Sequence, residues 1–240
     1  MPNRLSGFRA TDFEFRARFW IIAGVFWLGF ALYSAGDRNF SLSVAQWLAG
    51  AGSPRVSSYS RAILGCGTAL AAAAALIRTW AEAYLHSSVV HDSKLHSDRL
   101  TVDGPYRYVR NPLYIGTVLL APGLGTMASR FGFAIIVAGI PVIVYRLILR
   151  EEAGLLASQG ERCLEYFRAV PRFIPALHSR VPAGSARPDW VDGFAGEVFT
   201  WGMAFGMAAF TVTLRLVYWF TIAGAGFAVY AVQAVRRKPR

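Results

Sequence analysis

Residues 98–116 read DRLTVDGPYRYVRNPLYIG, and residues 150–152 read REE. Both polar stretches stand beside long apolar segments, where ionisable side chains are costly and usually mark function. The first sets basic, aromatic and turn residues against the start of an apolar segment. The second puts paired carboxylates at the end of the next one. The fold follows from how the apolar segments place these two stretches.

The composition is that of a membrane protein. Of 240 residues, 55% are hydrophobic and only 16% charged, against roughly 25% charged in an average soluble domain. Mean hydropathy is +0.38. The length suits one compact helical bundle. Net charge is +11, but the basic residues flank apolar segments, which fits anionic lipid headgroups. No nucleic-acid-binding motif is visible, so nucleic acid is not an expected partner. Cys66 and Cys163 offer neither a disulfide framework nor a metal spacing. His86, His91 and His96, five residues apart, do not make a metal set, so no metal is expected.

Outward from the two stretches, the pattern predicts an all-α, multi-pass transmembrane bundle of about six spans. The expected spans are residues 19–35, 62–77, 113–128, 131–149, 194–212 and 216–235. Residues 1–18 are polar and basic with interleaved Phe13, Phe15 and Phe19, and suit the membrane surface. No small-x-small cleavage pattern follows residues 31–33, so the first apolar segment is expected to be retained. Residues 41–51 are apolar but short of the roughly 20 residues that a span needs, and read as an interfacial helix. The Ala- and Gly-rich second span invites close helix packing, and its helix should run on through residues 78–84. Asp103-Gly104-Pro105 marks a turn. Asn111-Pro112 suits a helix start, with Asn as N-cap and Pro at the first helical position. Pro122, Gly123 and Gly125 interrupt the third span, and Pro141 should kink the fourth. Helix should continue to Gln159 and stop at Gly160. An amphipathic helix over 161–169 and a proline-rich surface linker over 170–192 follow.

Six spans put both termini on one side. Of the 25 Lys and Arg, 19 then fall on that side, five on the other, and Arg146 lies inside the fourth span. Basic loops face the cytoplasm, so the 78–110 and 150–197 segments and both termini are expected there. The stretches at 98–111 and 151–152 share that face and are joined by a tight two-helix hairpin. They must be neighbours, forming a polar pocket at the membrane surface.

The run GPYRYVRNPLYIG, a hairpin, and then REEAGLLASQGERCLEYFRAVPRFIP resembles the integral-membrane methyltransferases, the isoprenylcysteine carboxyl methyltransferase and phospholipid N-methyltransferase superfamily. The resemblance covers about residues 78–176. It implies an S-adenosylmethionine pocket at the cytoplasmic face, with His91, Asp98, Leu100, Thr101, Tyr106, Asn111, Pro112, Leu113, Tyr114 and Glu151 at matching positions. Asn111 stands where the family usually has His; an amide donates and accepts hydrogen bonds but cannot act as a titrating base. It further implies a division into N-terminal membrane helices (1–77), a methyltransferase-like core (78–176), and a linker with a C-terminal hairpin (177–240).

The chemistry of these residue types agrees. Glu151 or Glu152 can pair with the cofactor's ammonium or offset its sulfonium charge. Arg110, near a helix N-terminus, suits its carboxylate, and the rings of Tyr106 and Tyr114 suit the sulfonium. Methyl transfer needs in-line geometry and a desolvated acceptor rather than a nucleophile–base pair. Arg146 and Arg150 share one helix face and are expected, with Asn111, at the reaction centre, holding an anionic acceptor. That acceptor should be amphiphilic, an isoprenoid or lipid carboxylate, amine or thiol reaching the pocket from the bilayer. The Ala- and Arg-rich composition suggests a bacterial inner membrane, which disfavours a prenylated protein. Two other functions compete. Sterol-type reductases using NADPH carry a similar histidine–proline–tyrosine motif, but no further nucleotide-phosphate cluster is visible here. A non-catalytic membrane protein is the other alternative, against which stand the intact Tyr106, Tyr114 and Glu151.

Overall fold

The computed structural model describes residues 6–32, 38–90 and 100–236. Among them the chain is helical, with one isolated bridge between Asn39 and Ser129. The helices are α1 (Asp12–Arg16), α2 (Arg18–Ala31), α3 (Phe40–Ala49), α4 (Val56–Val90), α5 (Pro112–Gly125), α6 (Arg130–Gln159), α7 (Glu161–Ala169), α8 (Trp190–Gly196), α9 (Val198–Thr213) and α10 (Leu216–Arg236).

By length and composition, three helices can cross a membrane: Val56–Leu85 of α4, all of α6, and α10. The other three expected spans form α2, α5 and α9, with 14, 14 and 16 residues. These are shorter than the roughly 20 residues of a perpendicular crossing. The 194–212 span in particular does not begin at residue 194. The backbone leaves helical geometry at Glu197 (φ −103°, ψ 13°), and Phe194 falls on α8. The reason is a buried carboxylate at the break, described below.

Close packing of α4 against α5 sets the frame. A Cβ on Gly67 would lie 2.8 Å from the Gly123 carbonyl oxygen, and one on Gly123 would lie 2.9 Å from that of Gly67. Only glycine lets the two backbones approach so closely. Pro122 is carried within α5, and Pro141 within α6. One face of α6, Ile136, Ile140, Val144 and Ile148, is fully buried among residues of α5 and α2. Their spacing of four keeps them on one stripe. Ser129 caps α6, its hydroxyl accepting from the Gly132 amide at 3.1 Å. Gly160, at φ +59°, ends it. At the far end of the hairpin Phe40 stacks on Phe133 at 3.7 Å, fastening α3 there.

The proline-rich linker is pinned rather than loose. It runs beside the 103–110 turn, where the amides of Arg110, Ala176 and Arg180 donate to the carbonyls of Pro171, Tyr108 and Arg107, each at 2.9 Å. Asp103 accepts from the amides of Gly184 (2.5 Å) and Ala186 (3.2 Å). The linker thereby holds the polar motif against the end of the hairpin.

Candidate functional site

The motif is shaped by local backbone rules. Gly104 turns the chain at φ +58°, and a Cβ there would collide with the Tyr84 ring. The turn buries Tyr106, whose carbonyl accepts from the Tyr166 hydroxyl at 2.8 Å. Burial pushes the Tyr106 phenol far above its ordinary range, so it is neutral. Asn111 precedes α5 as expected, but its side chain makes no capping bond. It donates instead to Glu152 Oε1 at 3.1 Å and to the Arg172 carbonyl at 3.0 Å.

Glu151 and Glu152 have different environments. Successive helical residues point about 100° apart, so one carboxylate faces inward and the other sideways. Glu152 is buried and makes ion pairs with Arg110 (3.3 Å) and Arg172 (2.8 Å) in addition to the Asn111 bond. Arg110 also lies over the Phe167 ring, 4.5 Å from its centroid. Burial lowers the Arg110 pKa, and the Glu152 carboxylate acts against that. Glu152 and Arg110 are therefore committed to each other. Glu151 accepts from the Tyr114 hydroxyl at 2.8 Å and has no ion pair among the described residues.

These groups border an open cavity of about 1660 Å³. Leu100, Thr101, Tyr106, Arg110, Asn111, Pro112, Leu113, Tyr114, Arg150, Glu151 and Glu152 all line it, as the motif led one to expect. His91 and Asp98 lie outside the described residues. Arg146 is not in the lining. Its guanidinium grips both oxygens of Glu14 at 2.8 and 2.9 Å, and Arg150 pairs with Asp12. The two arginines expected to hold an acceptor therefore hold the N-terminal segment instead, through carboxylates more than 130 residues away in sequence. Among the described residues no group of three or more His, Cys, Asp and Glu could hold a metal ion.

The Arg146 guanidinium, with the Thr11 amide, lowers the Glu14 carboxyl to about 2. The folded pKa is depressed from 4.5, so this stabilisation is complete above about 4.5 and lost as pH falls toward 2. A spin label at exposed Phe13 should keep one mobility from pH 8 to 5 and loosen only below about 4. Loosening near pH 6 would count against this clasp.

A second polar cluster was not assigned from the sequence. Arg78 of α4 binds Glu197 with two bonds, Nε at 2.7 Å and Nη2 at 2.8 Å. Its Nη1 donates to the Thr117 hydroxyl at 2.8 Å, and the Thr200 hydroxyl donates to Glu197 at 2.6 Å. The Arg78 stem lies in the notch left by Gly116, where a Cβ would collide with it. All of these except Gly116 line the cavity. The available signal was an arginine and a glutamate at the ends of apolar runs, which in lipid pair with one another.

Residues 61–159 match the family model described as phospholipid methyltransferase. Two curated proteins are similar over part of the chain. The cobalt-zinc-cadmium resistance protein CzcN of Cupriavidus metallidurans is 31% identical over 100 residues, 42% of this chain and 43% of the relative. The nickel-cobalt-cadmium resistance protein NccN of Alcaligenes xylosoxydans xylosoxydans is 30% identical over 118 residues, 49% of this chain and 52% of the relative. The chain spans about half the length of the curated relatives it matches. No solved structure matches it. The matched segment holds Arg78, the 103–116 motif and the Glu151–Glu152 pair, but neither the N-terminal segment nor Glu197. The family match is thus confined to residues 61–159, the part of the chain that carries the motif resembling the integral-membrane methyltransferases.

Proposed function

We propose that this chain is an integral-membrane methyltransferase that uses S-adenosylmethionine and acts on an amphiphilic acceptor. The observation that carries the reading is Glu151: a carboxylate on the cavity wall with one hydrogen bond, from Tyr114, and no ion pair among the described residues. The donor set fits the cofactor. Glu151 would hold its cationic end, and Tyr106, Tyr114, Thr101 and Leu100 line the same cavity. When bound, the cofactor supplies an electrophilic methyl group on a sulfonium. The chain's own part is to hold that end, exclude water and align the acceptor. Glu152, Arg110, Asn111 and Arg172 are paired with one another and fix the motif to α6. Asn111 makes no proton transfer in this scheme, so the lack of histidine there costs nothing. Arg150 lines the cavity while bound to Asp12, and Arg146 anchors the N-terminal segment.

The acceptor is read from the rest of the cavity. α2 packs on α6 and α10 packs on α9, with α5 forming the floor between. Phe26, Phe30, Leu120, Leu124, Met203 and Trp219 line the apolar end. Phe30 and Trp219 lie 6.4 Å apart at its limit. Lining residues of α10 run from Trp219 to Ala234, a length of ~22 Å at 1.5 Å per residue. That suits a single acyl or isoprenoid chain whose carboxylate, amine or thiol reaches the polar end. Residues 78–176 form the catalytic core in this reading, and 1–77 and 177–240 supply the acceptor's walls. The basic flanks orient the polar mouth and both termini toward the cytoplasm of a bacterial inner membrane.

The test is cofactor binding in detergent. S-Adenosylhomocysteine should bind at micromolar concentration and lose at least about tenfold in affinity in Glu151→Ala, the loss of a charge-assisted contact. Binding of NADPH with none of S-adenosylhomocysteine would replace the reading with a reductase. Binding of neither would point to a non-catalytic protein.

A further inference from the structure

The N-terminal segment, outside the stretch matched by the family model, is fastened to α6 as a strap and supplies part of the cavity wall. The Ala10 amide donates to the Arg146 carbonyl at 3.1 Å, and Arg150 donates to the Ala10 carbonyl at 3.2 Å. Glu14 and Asp12 pair with the same two arginines. A capping box between Thr11 and Glu14 makes the turn rigid. Thus fastened, the strap brings Arg9, Phe15 and Arg18 into the cavity lining.

The charges of that lining are unequal in their commitments. Arg78 is paired with Glu197, Arg110 with Glu152 and Arg150 with Asp12. Arg9 and Arg18 line the cavity and, among the described residues, have no ion pair. Arg18 is oriented by its own strap. It donates to the Phe15 carbonyl at 3.1 Å and lies 4.6 Å from the Phe15 ring centroid. It is within electrostatic reach of Glu151 and Tyr114. Yet Arg18 and Glu151, of opposite sign and facing one space, do not close on each other. An open pair of this kind is complementary to a ligand group that carries an ammonium and a carboxylate on one carbon.

We propose that Arg18 is the carboxylate-binding residue of the pocket, and that with Glu151 it grips the amino-acid end of the bound nucleoside cofactor. The Arg146–Glu14 clasp is the positioning device. This rests on the methyltransferase reading above, and it replaces Arg110, whose charge is spent on Glu152, in the role expected from the sequence. Arginine suits the task, since its planar fork matches a carboxylate.

Calorimetry on the full chain in detergent tests this with two probes. S-Adenosylhomocysteine has the amino-acid end; 5′-methylthioadenosine keeps the nucleoside and thioether but lacks it. Arg18→Gln should weaken the first roughly tenfold to a hundredfold, as for a lost hydrogen bond to a charged group. It should leave the second unchanged. Arg18→Lys should recover much of the difference, and Glu14→Gln, which frees the strap, should lower the same ratio. Arg16→Gln, the same charge change outside the cavity wall, should alter neither. An unchanged ratio in Arg18→Gln, or an equal fall in Arg16→Gln, overturns the assignment while leaving the methyltransferase reading intact. Binding of neither probe by the unaltered chain brings down that reading and this one with it.

Discussion

Glu152→Ala is expected to unfold the pocket end of the protein, whereas Glu151→Ala, one residue away, is expected to leave the fold in place. The Glu152 side chain is 7% exposed and joins Arg110 of the motif, Asn111 at the head of α5, and Arg172 of the linker. Without its carboxylate two guanidiniums remain at a buried junction. Arg110 has no alternative, since its Nε is already buried without a partner. Breaking a buried ion pair from one side costs about 3–5 kcal/mol, a large part of the roughly 5–15 kcal/mol that holds a domain together. For a chain of this size that is a fall in melting temperature of roughly 6–20 °C. Glu152→Gln should fall between, keeping one acceptor for one arginine. Glu151→Ala removes a single hydrogen bond to a charged group, worth about 1.5–3 kcal/mol, yet should lose the proposed cofactor. Thermal melts of both variants in one detergent separate the roles. If Glu152→Ala melts with the parent chain, the carboxylate is not the junction described here.

This split shows where sequence reading ends. The order of apolar runs, the turn at Asp103-Gly104-Pro105, the stop at Gly160 and the nearness of the motif to the glutamate pair all follow from local rules, and the fold agrees with them. Which glutamate is taken up by ion pairs does not. The answer depends on Arg172, Asn111 and Tyr114, which lie 20 to 41 residues away and compete for the two carboxylates. The same limit explains Arg146 and Arg150. Their common face was legible from a spacing of four. Their partners, Glu14 and Asp12, were not, because the N-terminal segment carries no pattern that says where it docks. Asn before Pro predicts a side-chain cap at Asn111. Here donation of its Nδ2 to Glu152 and to the Arg172 carbonyl orients the side chain, and its oxygen makes no capping bond to α5.

Glu197→Met is expected to loosen the C-terminal hairpin and to do so through Arg78. The two residues lie 119 apart in sequence and form a two-bond pair that ties α4 to the start of α9, with Thr117 adding α5. The Glu197 side chain is 4% exposed and that of Arg78 25%. The single variant therefore leaves a guanidinium in an apolar wall, but one that the cavity's water can reach. Its cost should lie below the ~3–5 kcal/mol of a fully buried pair broken from one side. Arg78→Met combined with Glu197→Met should recover most of it, since apolar replacement of a whole buried pair is often neutral. That recovery, measured as coupling in a double-mutant cycle, distinguishes the pair from two independent packing residues. The hairpin also forms one wall of the proposed acceptor groove. Glu197→Met should therefore raise acceptor KM severalfold while S-adenosylhomocysteine affinity, which the proposal assigns to Glu151, stays near that of the parent chain. A double variant that melts like the parent but keeps the high KM would mean that the polar groups themselves touch the acceptor. A double variant normal in both would make the pair a clasp alone. If Glu197→Met is itself unaffected in melting, the hairpin is held by the close contact of Gly202 and Gly226 across α9 and α10 and the packing of α9 on α4, and the ion pair is incidental.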